Sequence, residues 1–274
     1  MARPCILLLA SCCVLAAADP QEIVRRSVSI DQRDTKLASS YTYVQRNVFR
    51  ELDGKGQVKS AHSHTREVLY IGGRPYRRLI EKDGQPLPPA DERKERERMD
   101  KAIANAKRLT KQERERRAAD DAQRRAKARE SLGDIPEAFD LKLLREERRD
   151  GRDLYVIEAK PRAGYRGKHR ELLSKMHGTL WIDKADFHWV RAEAESLATI
   201  SFGLFLARLA PGSHMEFEQT RVNDEIWLPK RAAVTASARV ALLKKLNLDQ
   251  ETTFRGYRKF QADSKIVSAS EIVK

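Results

Sequence analysis

Gly178-Thr179-Leu180-Trp181-Ile182-Asp183 and Asp224-Glu225-Ile226-Trp227-Leu228-Pro229 each set a tryptophan between two aliphatic residues. Between and within these phrases the chain alternates with period two. Leu180 and Ile182, then Val190, Ala192 and Ala194, then Met215 and Phe217, then Ile226 and Leu228 fall on one face. Thr179, Asp183, Arg191, Glu193, Glu195, Glu216 and Glu218 fall on the other. Strands buried on both sides read as continuous apolar runs, so this pattern predicts an antiparallel sheet with one apolar and one wet face.

The same reading extends in both directions. Asp19 to Leu37 reads as a helix, with Asp19 as cap, Pro20 at the first helical position and an apolar stripe through Ile23, Val24, Val28 and Ile30. Tyr41 to Leu52, Val58 to Ile71 and Pro75 to Glu81 read as three strands joined by Asp53-Gly54-Lys55-Gly56 and Gly72-Gly73 turns. Phe139 to Glu147 and Asp153 to Lys160 form a further hairpin around Asp150-Gly151, and a short helix is expected within His169 to Met176. Ala232 to Val240 and Leu246 to Tyr257 again alternate.

Asp91 to Ser131 breaks this pattern. It holds fifteen Lys or Arg against ten Asp or Glu. Met99, Ala102, Ile103, Ala106 and Leu109 keep helical spacing, and Thr110 with Glu113 forms a capping box. The segment reads as a helical hairpin laced with ion pairs, inserted between strands. Alanines dominate the candidate buried side of its second arm, so that arm is weakly anchored. It is either a solvated structural element or a basic docking surface for an anionic membrane or an envelope protein.

The first eighteen residues read as an exported leader, with Arg3, an apolar stretch and Ala16-Ala17-Ala18 before Asp19. The alternative is a lipoprotein signal, because Leu9-Ala10-Ser11 leads into Cys12. All three cysteines, Cys5, Cys12 and Cys13, lie in this leader. Cleavage after Ala18 therefore leaves no disulfide, thiolate metal site or cysteine nucleophile. About 250 residues remain, enough for one sizeable core holding the insertion within a single domain. The formal net charge of +14 would suggest nucleic acid in a cytosolic chain. An exported chain meets anionic lipids and acidic envelope polymers instead.

The two tryptophan phrases, the leader, the helix before the first strand and the order of hairpins together resemble the outer-membrane lipoprotein-sorting (LolA and LolB) superfamily of periplasmic carriers. The likeness covers Asp19 to Glu81 and Phe139 to Phe260, and the insertion departs from it. It implies an α+β fold in which an open antiparallel half-barrel of about nine to eleven strands curls around helices. It also implies a periplasmic lipid or lipoprotein carrier, with the outer-membrane alternative through Cys12. A further implication is a role shared with related regulatory half-barrels that bind protein partners.

If the apolar face is concave, Leu180, Ile182, Val190, Met215, Phe217, Ile226, Leu228, Val234, Leu246, Leu248 and Phe254 line an acyl-chain cavity. The competing reading is that they only pack against the helices. Phe202, Leu204, Phe205, Leu206 and Leu209 are apolar on both parities, which suits either a membrane-touching mouth or a fully buried segment. No catalytic group, metal site or cofactor is expected. His62 and His64 offer two ligands at most, and Asp183, Asp186 and His188 lack a third firm ligand.

Overall fold

The computed structural model describes residues 18–202, 207–240 and 244–259, without the side chains of 32–36, 202, 207, 238–240 and 244–246. The leader and Cys12 lie outside the described residues. Helix α1 (Pro20–Leu37) starts where Asp19 Oδ1 accepts the Gln21 amide at 3.0 Å, with Pro20 preset for the first turn. Strands β1 (Tyr41–Leu52), β2 (Val58–Ile71), β3 (Arg74–Lys82) and β4 (Gln85–Pro86) follow as a meander. The insertion forms α2 (Pro89–Lys107) and α3 (Lys111–Ala128), and α4 (Ile135–Ala138) returns the chain to the sheet. Next come β5 (Phe139–Arg149), β6 (Arg152–Pro161), α5 (Arg170–Leu173), β7 (Met176–Asp183) and β8 (Trp189–Ser196). The chain continues through β9 (Ile200–Phe202), β10 (Ala207–Leu209), β11 (His214–Val222), β12 (Ile226–Val240) and β13 (Lys244–Lys259).

Every pairing is antiparallel, and the strands run in the order β4-β3-β2-β1-β13-β12-β11-β8-β7-β6-β5. The small β9–β10 ribbon pairs with the end of β12. The sheet is an open half-barrel whose two ends, β4 and β5, do not meet. Ile226 and Leu228 belong to the same strand as Ala232 to Val240. A bulge at Lys230 divides β12, since Glu218 pairs with Arg231 while Gln219 pairs with Pro229.

Helix α1 lies on the inner face over β5–β8. Ile23, Val24 and Val28 pack with Ile157, Ala159, Leu180, Ile182 and Trp189, and Phe139, Ala138 and Leu173 close the cluster. Each such side chain contributes about 1.5–3 kcal/mol by leaving water. The outer face of the central strands is a ladder of ion pairs. Arg231 joins Glu216 at 2.5 Å and Glu251 at 2.6 Å, Arg191 joins Glu193 and Glu218, and Arg50 joins Asp249 at 3.0 Å. Alternation in the sequence therefore produces two chemically opposed faces.

The insertion straddles the β2–β3 turn. Met99 and Ile103 of α2 pack on Leu69, Ile71 and Tyr76, whereas Val68 and Tyr70 alternate onto the inner face. At Gly73, with φ at +81°, a Cβ would stand 2.4 Å from the Arg114 carbonyl oxygen, so the turn fits against α3 only as glycine. Helix α3 starts with the expected capping box at Thr110 and Glu113, and its far end is tied to α1 by an Arg129–Asp31 ion pair. Asp121 is its one buried residue.

Candidate ligand-binding face

The predicted apolar face divides into three groups. Leu180 and Ile182 are buried in the core beneath α1. Ile226 and Leu228 are buried with Tyr41, where Ala38, Val222 and Tyr257 complete the packing. Met215, Phe217, Val234, Leu248 and Phe254 are half-buried, and among the described residues none of these five belongs to the clusters that the helices build.

Val190 requires a correction. It packs with Trp181, Leu154 and Val156 on the outer face, away from Leu180 and Ile182. The register explains the reversal: Trp181 pairs with Arg191 but Ile182 pairs with Trp189, leaving Val190 as the extra residue of a bulge. Trp189 takes the inner place instead and joins the core under α1. Strict period-two counting across the bulge cannot register this shift.

The half-buried group has a definite layout. Phe217 stands between Ala192 on β8 and Ala232 on β12, and Met215 between Ala194 and Val234. Small neighbours on both sides leave the aromatic and thioether side chains standing above a shallow floor. Toward β13 the rows continue into Thr252, Gln250 and Leu248, then into Asn47 and Phe49 on β1. Phe49 is 45% exposed. Thr252 Oγ1 donates to Asn47 Oδ1 at 2.8 Å, as does Gln45 Nε2 at 3.0 Å, so the floor turns polar at β1.

An aromatic group closes one end. Tyr43 lies 5.9 Å from Phe254 and 5.4 Å from Tyr257, centroid to centroid, and Tyr257 donates to the Pro229 carbonyl at 2.6 Å. Burial raises the pKa of both phenols, so both stay neutral at ordinary pH. Sequence reading missed Tyr43 and Tyr257, although Tyr41 and Tyr43 alternate on one parity of β1.

Leu246 lies on β13 and Phe202 on β9, but their side chains fall outside the described residues, as do Leu204, Phe205 and Leu206 altogether. Leu209 is half-buried on β10, opposite Ala238. Ile200, across from it, is 3% exposed.

The polar residues weighed for chemistry have structural partners. Asp183 accepts the Ala185 amide at 2.8 Å and pairs with Arg152 at 3.0 Å. Asp186 accepts Trp227 Nε1 at 2.9 Å. Burial pushes the Asp186 pKa up, but the bonds from His188 and Trp227 outweigh it and bring it down to about 2. His188 stacks on Trp227, and Arg152 covers that ring at 4.9 Å. On β2, His62 is exposed and His64 half-buried.

The chain is similar to an outer membrane lipoprotein-sorting protein domain from Vibrio parahaemolyticus, at TM-score 0.36 and 10% identity, over 90% of this chain and 97% of that one. It is also similar to a LolA-superfamily protein from Nitrosomonas europaea, at TM-score 0.34 and 12% identity, over 93% and 100%. A third is the MucA/MucB complex of Pseudomonas aeruginosa, at TM-score 0.24 and 11% identity, over 89% and 100%. No family model and no curated protein matches the chain. Among the described residues no helix is long and apolar enough to cross a membrane.

Proposed function

We propose that the chain is an exported, non-catalytic protein of the cell envelope, placed in the periplasm by its leader, that binds the acyl chain of a lipid or lipoprotein. One observation carries this reading: Met215, Phe217, Val234, Leu248 and Phe254 form an apolar inner surface outside the packed clusters. An acyl chain laid there gains about 0.8 kcal/mol for each methylene it buries, without needing a specific polar group. The residues Leu180, Ile182, Ile226 and Leu228 support that surface from the core instead of touching the ligand. The apolar stretch from Phe202 to Leu209 is read as the mouth of that surface, where it would meet the membrane.

The test starts from Asp19, with protein purified without detergent, native mass spectrometry and organic extraction. The expected result is a discrete adduct that extracts as an acyl lipid and falls when Phe217→Asp or Met215→Asp is introduced with the fold retained. A clean apo mass, together with no uptake of added fatty acid or lipopeptide, would overturn the carrier reading. The alternative on the same half-barrel is an envelope interaction or sensing module, and the MucA/MucB complex is an instance of such a neighbour with a partner. In that case the basic α2–α3 hairpin becomes the surface on which to look for a protein or an anionic membrane.

A further inference from the structure

Helix α2 is anchored by apolar packing, whereas α3 turns charged side chains, not aliphatic ones, toward the rest of the fold. Along α3, Arg117, Asp121, Arg125 and Arg129 recur every fourth residue, on one side of the helix, and are among its least exposed residues. Ordinary amphipathic helices put aliphatic residues at such positions. Asp121 pairs with Arg125 and with Arg124 at 3.6 Å, and Asp31 of α1 pairs with Arg129. The buried Nε atoms of Arg125 and Arg129 nonetheless have no hydrogen-bond acceptor among the described residues.

By register Arg77 on β3 stands opposite Val68, which itself pairs with Tyr43. Burial and the neighbouring Tyr70 push the Tyr43 pKa up, and the fields of Arg77 and, more weakly, of Arg125 on α3 oppose them. Tyr43 in turn contacts Phe254. Arg66 enters on the same face by register, opposite Gln45 and two residues from Val68, which pairs with Tyr43. Two guanidiniums, Arg66 and Arg77, thus stand at the aromatic end of a surface whose other end is Phe217, Met215 and Val234, and the field of a third, Arg125, reaches it. Fixed cations at one end of an apolar face complement a molecule with an anionic head and an apolar tail.

We propose that this protein selects anionic amphiphiles, seating a carboxylate or phosphate headgroup beside Tyr43 between Arg66, Arg77 and Arg125 while the acyl chain runs toward Phe217 and Met215. The inference rests on the carrier reading above and assigns the insertion its role, supplying Arg125 as one jaw of a headgroup clamp. Guanidinium suits this task because its planar donors match the oxygens of carboxylate and phosphate in pairs.

The experiment compares two lysolipids of equal chain length, palmitoyl lysophosphatidylglycerol, which is anionic, and palmitoyl lysophosphatidylcholine, which is zwitterionic. Binding is measured by calorimetry below the micellar threshold with the chain from Asp19. The expected result is a preference of about tenfold for the anionic lipid, since charge-assisted hydrogen bonds outweigh neutral ones. Arg77→Gln should remove most of that preference, weakening the anionic lipid more than the zwitterionic one. Arg125→Gln leaves Asp121 short of a partner, so Arg125→Lys is measured beside it as the variant that keeps the helix in place. Equal binding of both lipids, or a preference unmoved by Arg77→Gln and Arg125→Lys, overturns the headgroup assignment while the carrier reading stands. Binding of neither lipid overturns both.

Discussion

The inner face has two halves that look alike in the sequence and differ in the fold. Over β5–β8, helix α1 seats Ile23, Val24 and Val28 against Leu180, Ile182 and Ile157, and the alternating apolar residues disappear into a core. Across β11–β13 the same alternation continues through Met215, Phe217 and Val234, yet these side chains stay half-buried and outside the helix-built clusters. Alternation therefore says which face is apolar, and only the position of a helix decides whether that face becomes core or surface. A half-barrel with one helix over half its inner face keeps a stable body and an apolar surface in a single sheet.

The largest expected effect separates these halves. Ile182→Ala removes a fully buried side chain beneath α1 and should cost about 3 kcal/mol, read as a lower denaturant midpoint with unchanged slope. Phe217→Ala deletes a larger side chain but should cost less than about 1.5 kcal/mol, because much of it is already in contact with water. Its effect should appear instead in acyl-lipid uptake. Equal stability losses at the two positions would mean that the β11–β13 surface is core, and the division would collapse.

Much of the fold was legible because it rests on local chemistry. Helix α1, the first two strands and the Thr110 capping box follow directly from cap residues, Gly turns and period-two runs. The site was less legible. Val190 was placed on the wrong face because a bulge costs one residue and leaves no mark in a single sequence. Leu180 and Phe217 could not be told apart, since burial of each depends on a helix more than a hundred residues away in sequence. The stripe Arg117, Arg125 and Arg129 was visible as charge, but its direction depended on how α3 docks. Tyr43 and Tyr257 gain significance only when β1 and β13, the ends of the sheet-forming chain, pair as neighbours.

The rim of the packed half offers a second contrast, in pH. Asp186 holds its pKa at about 2 through His188 and Trp227, below the value near 3.9 expected in the unfolded chain. A depressed carboxylate adds stability that is present in full above the unfolded value and is lost as pH falls from about 4 toward 2. Asp186→Asn should therefore cost about 2 kcal/mol at neutral pH. The gap from the parent chain should close on acidification across that window. A gap that stays constant with pH would assign the loss to packing around Trp227 and not to the charge.

On the open side, the outer ladder should contribute less. Arg231 bridges Glu216 and Glu251, lowering the pKa of both: at Glu216 its bond and field overcome burial, and at Glu251 its hydrogen bond is the leading cause. These side chains are only partly shielded from water, so Arg231→Gln should cost about 1 kcal/mol. The cost should diminish in high salt and below the usual carboxylate range, where both glutamates protonate. A loss as large as that of Ile182→Ala would show that the ladder, as well as the α1 core, holds the half-barrel together.

The smallest effect on global stability is expected at Thr110, and it bears most directly on the insertion. Its side chain accepts the Glu113 amide at 3.2 Å, and Glu113 returns a bond to the Thr110 amide at 2.7 Å. Losing an N-cap costs about 1 kcal/mol locally. Because α3 buries only Asp121, its opening need not involve the sheet. Thr110→Ala should accelerate amide exchange through Lys111–Ala128 while leaving β7 and β8 protected. It should also weaken the anionic preference, because a frayed α3 no longer fixes Arg125 beside Tyr43. Faster exchange in α3 with an unaltered preference would separate the helix from the headgroup and leave Arg66 and Arg77, both on the sheet, as the cations that matter.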